Sequence, residues 1–278
     1  MMVCGKMLIG DSMKKMPIGI LDEGVQGLCI LENLTKNFKN EDFIYINDVK
    51  SYPYEGKDKE VVLKHVMVNV EKLLEYNIKL LIVISDVIIE CCEEYFSTLK
   101  IPVINIVQSI ADYVNTYYEQ KNLILCARSY ILKANIYQKN FKYNRMYNIE
   151  SEELENVLIS NMSKTSASFK AAENTFKPVN QKGCDLLIVT APWLEMLRIE
   201  IFEFLEVDKM IKLDEVISEE IKKNNIIQYS RGRGKLLVIS DVSIKNFKNI
   251  TPWFSLKFKY IEIENEIGEK VGRQNSKI

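Results

Sequence analysis

Histidine is almost missing from this chain: His65 is the only one in 278 residues. It sits in the stretch Val62–Val70, whose apolar residues recur at helical spacing, so a packing or surface role is expected for it. Histidine-based catalytic triads and multi-histidine metal centres are therefore excluded. The six cysteines, at positions 4, 29, 91, 92, 126 and 184, form no C-x-x-C pair. Most lie inside apolar runs, as reduced, buried small side chains of a cytoplasmic protein do. No apolar run is long enough to span a bilayer, and Met1–Lys15 lacks the basic start and apolar core of a signal peptide, so no membrane partner is expected. An excess of one charge is also lacking. The formal net charge of −1 supplies no electrostatic reason for a nucleic-acid partner.

What is present is a globular composition, 47% hydrophobic and 27% charged, in a chain long enough for two modest cores. Short Val/Ile/Leu-rich runs occur at Ile18–Leu21, Phe43–Ile46, Leu80–Ile84, Val103–Val107, Leu123–Cys126, Leu186–Val189, Leu236–Ile239 and Phe258–Ile263. They carry no polar alternation, which suits strands covered on both faces. Helical patterns lie between them, at Lys59–Tyr76, Val87–Leu99, Tyr130–Phe141, Leu194–Leu205 and Glu215–Asn224. Strand and helix in alternation predict an α/β fold with mainly parallel sheets flanked by helices. The polar stretch Tyr143–Lys182 has few strand signals and reads as a mostly helical elaboration of one lobe.

In such sheets ligands bind outside the carboxyl ends of the strands. The segments to search are Asp22–Gly24, Asn47–Tyr54, Ser85–Val87, Ala127–Ser129 and Thr190–Trp193. One internal echo, V-I-S-D-V at Val83–Val87 and again at Val238–Val242, suggests two related strand-to-helix turns. The basic run Arg231–Lys235, RGRGK, lacks the G-x-x-x-x-G-K-[ST] spacing of a P-loop. It reads as a solvated loop, with contact to phosphate or an acidic partner as the alternative.

Seven segments, in order, resemble the glutamate racemases. PIGILDEGVQGLCIL (Pro17–Leu31) is similar to that family's opening strand and Gly-rich turn, and EDFIYINDVKSYPY (Glu41–Tyr54) to the stretch ending in Pro-Tyr-Gly. KLLIVISDV (Lys79–Val87) matches the strand that carries the first catalytic cysteine, and IPVINIVQS (Ile101–Ser109) the strand after it. GCDLLIVTAPWLEML (Gly183–Leu197) matches the segment of the second cysteine, and Lys212–Lys222 with Leu236–Asp241 the closing helix and strand. The resemblance implies two similar lobes interleaved in sequence, with the ligand cleft between them. Residues 17–100, completed by 208–265, would form the first lobe and 101–207 the second, with an N-terminal extension at 1–16 and a tail at 266–278. It also implies a reaction without cofactor or metal.

That reaction removes an α-proton on one face of an amino acid and returns one on the other, which takes two proton carriers in a dry cleft. Cysteine suits the task, because its thiol, with a reference pKa of about 8.5, is readily tuned to a thiolate. Here the two cysteine slots hold Ser85 and Ala191. A methyl group carries no exchangeable proton and an unassisted hydroxyl is a poor base, so two-thiol racemisation is expected to fail. No other cysteine rescues it. Cys184 lies roughly 23 Å before the Ala191 slot on an extended strand, and Cys91 and Cys92 roughly 9 Å beyond Ser85 on a helix.

The neighbouring positions depart as well. Asp22-Glu23-Gly24 replaces Asp-Ser-Gly, Ser85-Asp86-Val87 replaces Cys-Asn-Thr, Ala191-Pro192-Trp193 replaces Cys-Thr-His and Pro53-Tyr54-Glu55 replaces Pro-Tyr-Gly. Arg128 falls in a turn where the family has threonine. The expected cleft residues are thus Asp22, Glu23, Asp48, Pro53, Tyr54, Asp86, Val87, Arg128, Pro192 and Trp193, with Tyr130, Tyr54 and Trp193 filling vacated space. Unless Asp22, Glu23, Asp48 and Asp86 are paired or protonated, each like-charge contact with glutamate near 4 Å is unfavourable by about 4 kcal/mol at an effective dielectric of about 20. Arg128 is expected to pair with Asp22 or Asp86; the alternative is that it points to water.

The leading expectation is a glutamate-racemase-like protein, inactive by the two-cysteine route, kept for binding or assembly. An isomerase or lyase using Asp22, Asp86 or Ser85, and a small-molecule or cation sensor, are the alternatives. A homodimer and a protein partner are the assemblies the resemblance leaves open. No cofactor or metal is expected, a hard cation such as Mg²⁺ on the acidic cluster being the lesser alternative.

Overall fold

The computed structural model describes residues 15–225, 227 and 232–264. Most of the expected extension at 1–16, all of the tail at 266–278, and Arg231 of the basic run lie outside the described residues. Within the described residues ten strands form two sheets, and every pairing in both is parallel.

The six-stranded sheet has the order β10-β9-β2-β1-β3-β4. Its strands are β1 (Ile18–Leu21), β2 (Phe43–Ile46), β3 (Leu80–Val83), β4 (Val103–Asn105), β9 (Leu236–Ser240) and β10 (Lys259–Glu262). The four-stranded sheet, order β6-β5-β7-β8, holds β5 (Asn122–Ala127), β6 (Arg145–Glu150), β7 (Leu186–Val189) and β8 (Lys209–Met210). All four residues of β1, β2, β3 and β7 are buried, which is why those strands read as unbroken apolar runs.

The helices are α1 (Leu28–Asn37), α2 (Lys59–Glu75), α3 (Asp86–Ser97), α4 (Ile106–Tyr117), α5 (Ser129–Ala134), α6 (Glu152–Ile159), α7 (Ser166–Phe176), α8 (Arg198–Phe204), α9 (Leu213–Lys223) and α10 (Ile244–Ile250). Several start on side-chain caps. Asp58 accepts from Glu60 N at 2.8 Å for α2, and Asn105 from Val107 N at 2.9 Å for α4. Such a cap satisfies an amide that has no partner inside the helix.

Three features depart from expectation. Val103–Asn105 pairs with β3, so the first sheet extends past residue 100, and β8 at 209–210 joins the second sheet. The apolar run Val103–Val107 is strand for three residues and then turns into α4 at the Asn105 cap. Within the polar stretch 143–182, β6 is an edge strand with no fully buried residue, and it therefore left no apolar signature. The lobes touch where α1 packs against the 3₁₀ turn Pro192–Leu197 and where α3 meets α5. Tyr130, expected in the cleft, instead links α5 to α3 by donating to Glu90 Oε2 at 2.6 Å.

Candidate functional site between the lobes

The carboxyl ends of β1, β2 and β3 in one lobe, and of β5 and β7 in the other, converge on one polar region. Asp22 leaves β1 and accepts from Gly27 N at 2.7 Å, from Gly24 N at 3.4 Å and from Tyr45 Oη at 2.5 Å. Gly27 is needed for this approach, since a Cβ there would stand 2.9 Å from Asp22 Oδ2. Asp22 holds its own turn.

Asp48, past the end of β2, accepts from Tyr54 Oη at 2.8 Å and lies 2.7 Å from His65 Nδ1. His65 is therefore not a surface residue but a buried partner of a cleft carboxylate. Asp241, just after β9, accepts from Val49 N at 2.9 Å and Lys50 N at 3.0 Å. Burial and the hydrogen bond to Asp48 push its carboxyl up to about 6.

The lobes are joined by Arg128, which follows β5 and is 6% exposed. Its Nη1 donates to Glu23 Oε1 at 2.9 Å and its Nε to Glu155 Oε2 at 3.2 Å. The guanidinium carbon stands 5.7 Å from the centre of the Tyr52 ring, a cation–π contact. Gln26 donates to Tyr52 Oη at 2.9 Å and to Glu155 Oε2 at 3.3 Å, while Ser151 Oγ donates to Glu155 Oε1 at 2.7 Å. Glu23 also accepts from Tyr54 N at 2.9 Å. Burial pushes its carboxyl up to about 7 against the pull of Arg128 and that amide. One cation thus bridges a carboxylate from each lobe.

Arg128 reaches the rim, but its hydrogen-bonded partners are Glu23 and Glu155, not Asp22 or Asp86. Asp22 is taken up by its turn. Asp86, at the start of α3, bonds to Thr190 of the other lobe and feels Arg128 only through space. That contact brings the turns of Ser85 and Ala191 together, since each residue is adjacent to one partner. Ser85 is a helix cap, its Oγ accepting from Ile88 N at 3.2 Å. Ala191, Pro192, Trp193, Tyr54 and Val87 are buried, whereas Pro53 is exposed and only its carbonyl is engaged, by Lys57 Nζ at 2.8 Å. The condition on the acidic rim is met: Asp22, Glu23, Asp48 and Asp86 are each paired or hydrogen-bonded.

No family model matches the chain. Glutamate racemase of Staphylococcus aureus (strain JH9) is 28% identical over 127 residues, 45% of this chain and 48% of that protein. The chain thus spans about half the length of the curated relatives it matches. Glutamate racemase from Thermus thermophilus superposes with a TM-score of 0.80 at 17% identity, over 91% of this chain and 99% of that one. The RacE1 isoform from Bacillus anthracis gives 0.81 at 21%, over 90% and 98%. The chain has the fold of the glutamate racemases.

In this racemase-like fold no described thiol is poised to ionise. Burial is the main cause at each. Cys29, also beside Glu195 and Asp22, is raised well above its ordinary value; Cys91 is pushed up to about 11 and Cys92 to about 12; Cys126 and Cys184 are raised too. Cys29 lies at the lobe interface, with its Sγ 3.5 Å from Met196 Sδ, in a setting that disfavours the thiolate. Among the described residues no group of three or more His, Cys, Asp or Glu side chains is arranged to hold a metal. No helix among them is long and apolar enough to cross a membrane.

Glu155, Gln26 and Asp241 lie outside the segments the sequence marks for search, and Tyr52 lies inside one, Asn47–Tyr54, with nothing to single it out. Asp241 had a signal, since it occupies the same place in the V-I-S-D-V echo as Asp86. Glu155 had none, being one of several acids at the start of α6.

Proposed function

We propose that this chain keeps the racemase architecture but does not invert amino acids by the two-thiol route, and is retained for binding or assembly. The observation that carries this reading is the Arg128 bridge. A buried guanidinium, paired with Glu23 of one lobe and Glu155 of the other, lies within electrostatic reach of Asp86 beside the Ser85 slot. An anionic ligand entering between the lobes would compete with those two carboxylates for the guanidinium. The identities of the two slots and the raised thiols support the same conclusion.

A second reading, an isomerase with altered proton carriers, draws support from Glu23 and Asp86, whose carboxyls burial raises toward the range where acids exchange protons at neutral pH. One experiment decides. Purified protein is incubated with L- and D-glutamate and with L- and D-aspartate in D₂O, and the α-proton signal is followed by NMR. The proposal expects no exchange above the protein-free control. Exchange that disappears in Ser85→Ala, Glu23→Gln or Asp86→Asn overturns it in favour of the second reading.

A further inference from the structure

Away from the lobe interface, a groove of about 1040 Å³ opens at the amino-terminal edge of β2, β9 and β10. Six cations line it: Lys36 and Lys39 from the end of α1, Arg233 and Lys235 ahead of β9, and Lys257 and Lys259 at β10. All six are exposed. Lys36 pairs with Glu32 at 2.9 Å, and the other five have no carboxylate oxygen within 4 Å among the described residues. The one acid in the lining, Glu41, is buried and ion-paired with Lys79. For a chain with a net charge of −1, this is a local concentration of one sign.

We propose that this groove binds a small, multiply phosphorylated anion. Ammonium and guanidinium groups crowded around one concavity repel each other, and a ligand with several negative charges relieves that repulsion at several points at once. Phosphate oxygens accept from lysine and arginine together, through charge-assisted hydrogen bonds. The volume is at the upper end for small-molecule sites, roughly 300–1,000 Å³, which suits a nucleotide-sized ligand better than a simple monoanion. An extended nucleic acid would meet the net negative surface beyond the groove.

The loop bearing Arg233 and Lys235 is held in place. Gly234 N donates to Lys39 O at 2.7 Å and Lys235 N to Asp42 Oδ1 at 2.7 Å. Part of the groove is aromatic: Phe258 has its ring centre 5.7 Å from those of both Phe247 and Phe254. A fixed loop and a fixed ring lower the ordering that binding demands.

The test is calorimetric titration of the full chain with inorganic triphosphate, and separately with ATP, at low and at physiological salt. Saturable binding of one ligand per chain is expected, weaker at the higher salt. It should fall on the order of ten-fold or more, about 1.4 kcal/mol, in Lys39→Glu/Arg233→Glu and be unchanged in Lys182→Glu, an exposed site on the other lobe. Both variants should melt as the parent does, which separates lost binding from lost folding. Tighter binding of ATP than of triphosphate assigns the aromatic floor to a base, and equal binding assigns recognition to phosphates alone. The proposal is overturned if triphosphate and ATP fail to saturate, if Lys182→Glu weakens binding as much, or if only a single-stranded oligonucleotide or polyglutamate binds.

Discussion

Replacing Arg128 with methionine keeps the length of the side chain and removes its charge. Glu23 and Glu155, both buried, then face each other across the lobes without their shared cation. Removing one partner of a buried ion pair costs about 3–5 kcal/mol, a fall in melting temperature on the order of 10 °C for a chain of this size. The loss should depend on pH. With Arg128 in place the Glu23 carboxyl already sits near 7, so at pH 6 it is largely neutral in the folded chain and has less need of the guanidinium. At pH 8 it is charged, and the full penalty applies. Thermal denaturation followed by circular dichroism at the two pH values measures this directly, and Glu23→Gln in the Arg128→Met background should restore part of the loss at pH 8. A loss of less than about 2 °C at pH 8, or the same loss at both pH values, would refute the view that Arg128 works as a buried counter-ion between the lobes.

The same geometry sets three further outcomes. Glu23 and Glu195 both rise from 4.5 to about 7, chiefly through burial, so between those values the folded chain holds protons that the unfolded chain has released. Stability to urea should therefore decline as pH rises through that window, and Glu195→Gln should flatten part of the slope while keeping the acceptor for Leu213 N. Lys79→Met deprives Glu41 of a buried ammonium and should destabilise by about 3 kcal/mol in urea titration, with Glu41→Gln in the same chain recovering more than half. Gly234→Ala would place a Cβ 1.8 Å from the Glu41 carbonyl oxygen, a rigid backbone atom, so the variant should appear in the insoluble fraction or melt far below the parent.

The strands legible from sequence were those buried on both faces. Ile18–Leu21, Phe43–Ile46 and Leu186–Val189 match the structure because nothing polar interrupts them. β6 was hidden because an edge strand needs no apolar run, and α4 because the apolar letters of Ile106 and Val107 continue those of β4 across the Asn105 cap. At the site, Asp22, Glu23, Asp48 and Arg128 were legible because each lies just past the carboxyl end of an apolar strand. Their partners were not. Hydrogen bonds such as Arg128 to Glu155 and Tyr54 to Asp48 depend on how the two lobes and the loop after β2 fold back, which local pattern does not encode. His65 looked like one more member of a helical stripe, and only the approach of Asp48 distinguishes it.

The position of β9 has a bearing on how the molecule is made. It lies between β2 and β10, with Lys235 meeting Asp42 across a sequence separation of 193 residues. While the ribosome is still reading the middle of the message, β2 has a neighbour on one side only, and its other row of amides and carbonyls is open to any stray strand. The half that begins first is finished last, so the nascent chain is most exposed to aggregation until residues 236–240 emerge.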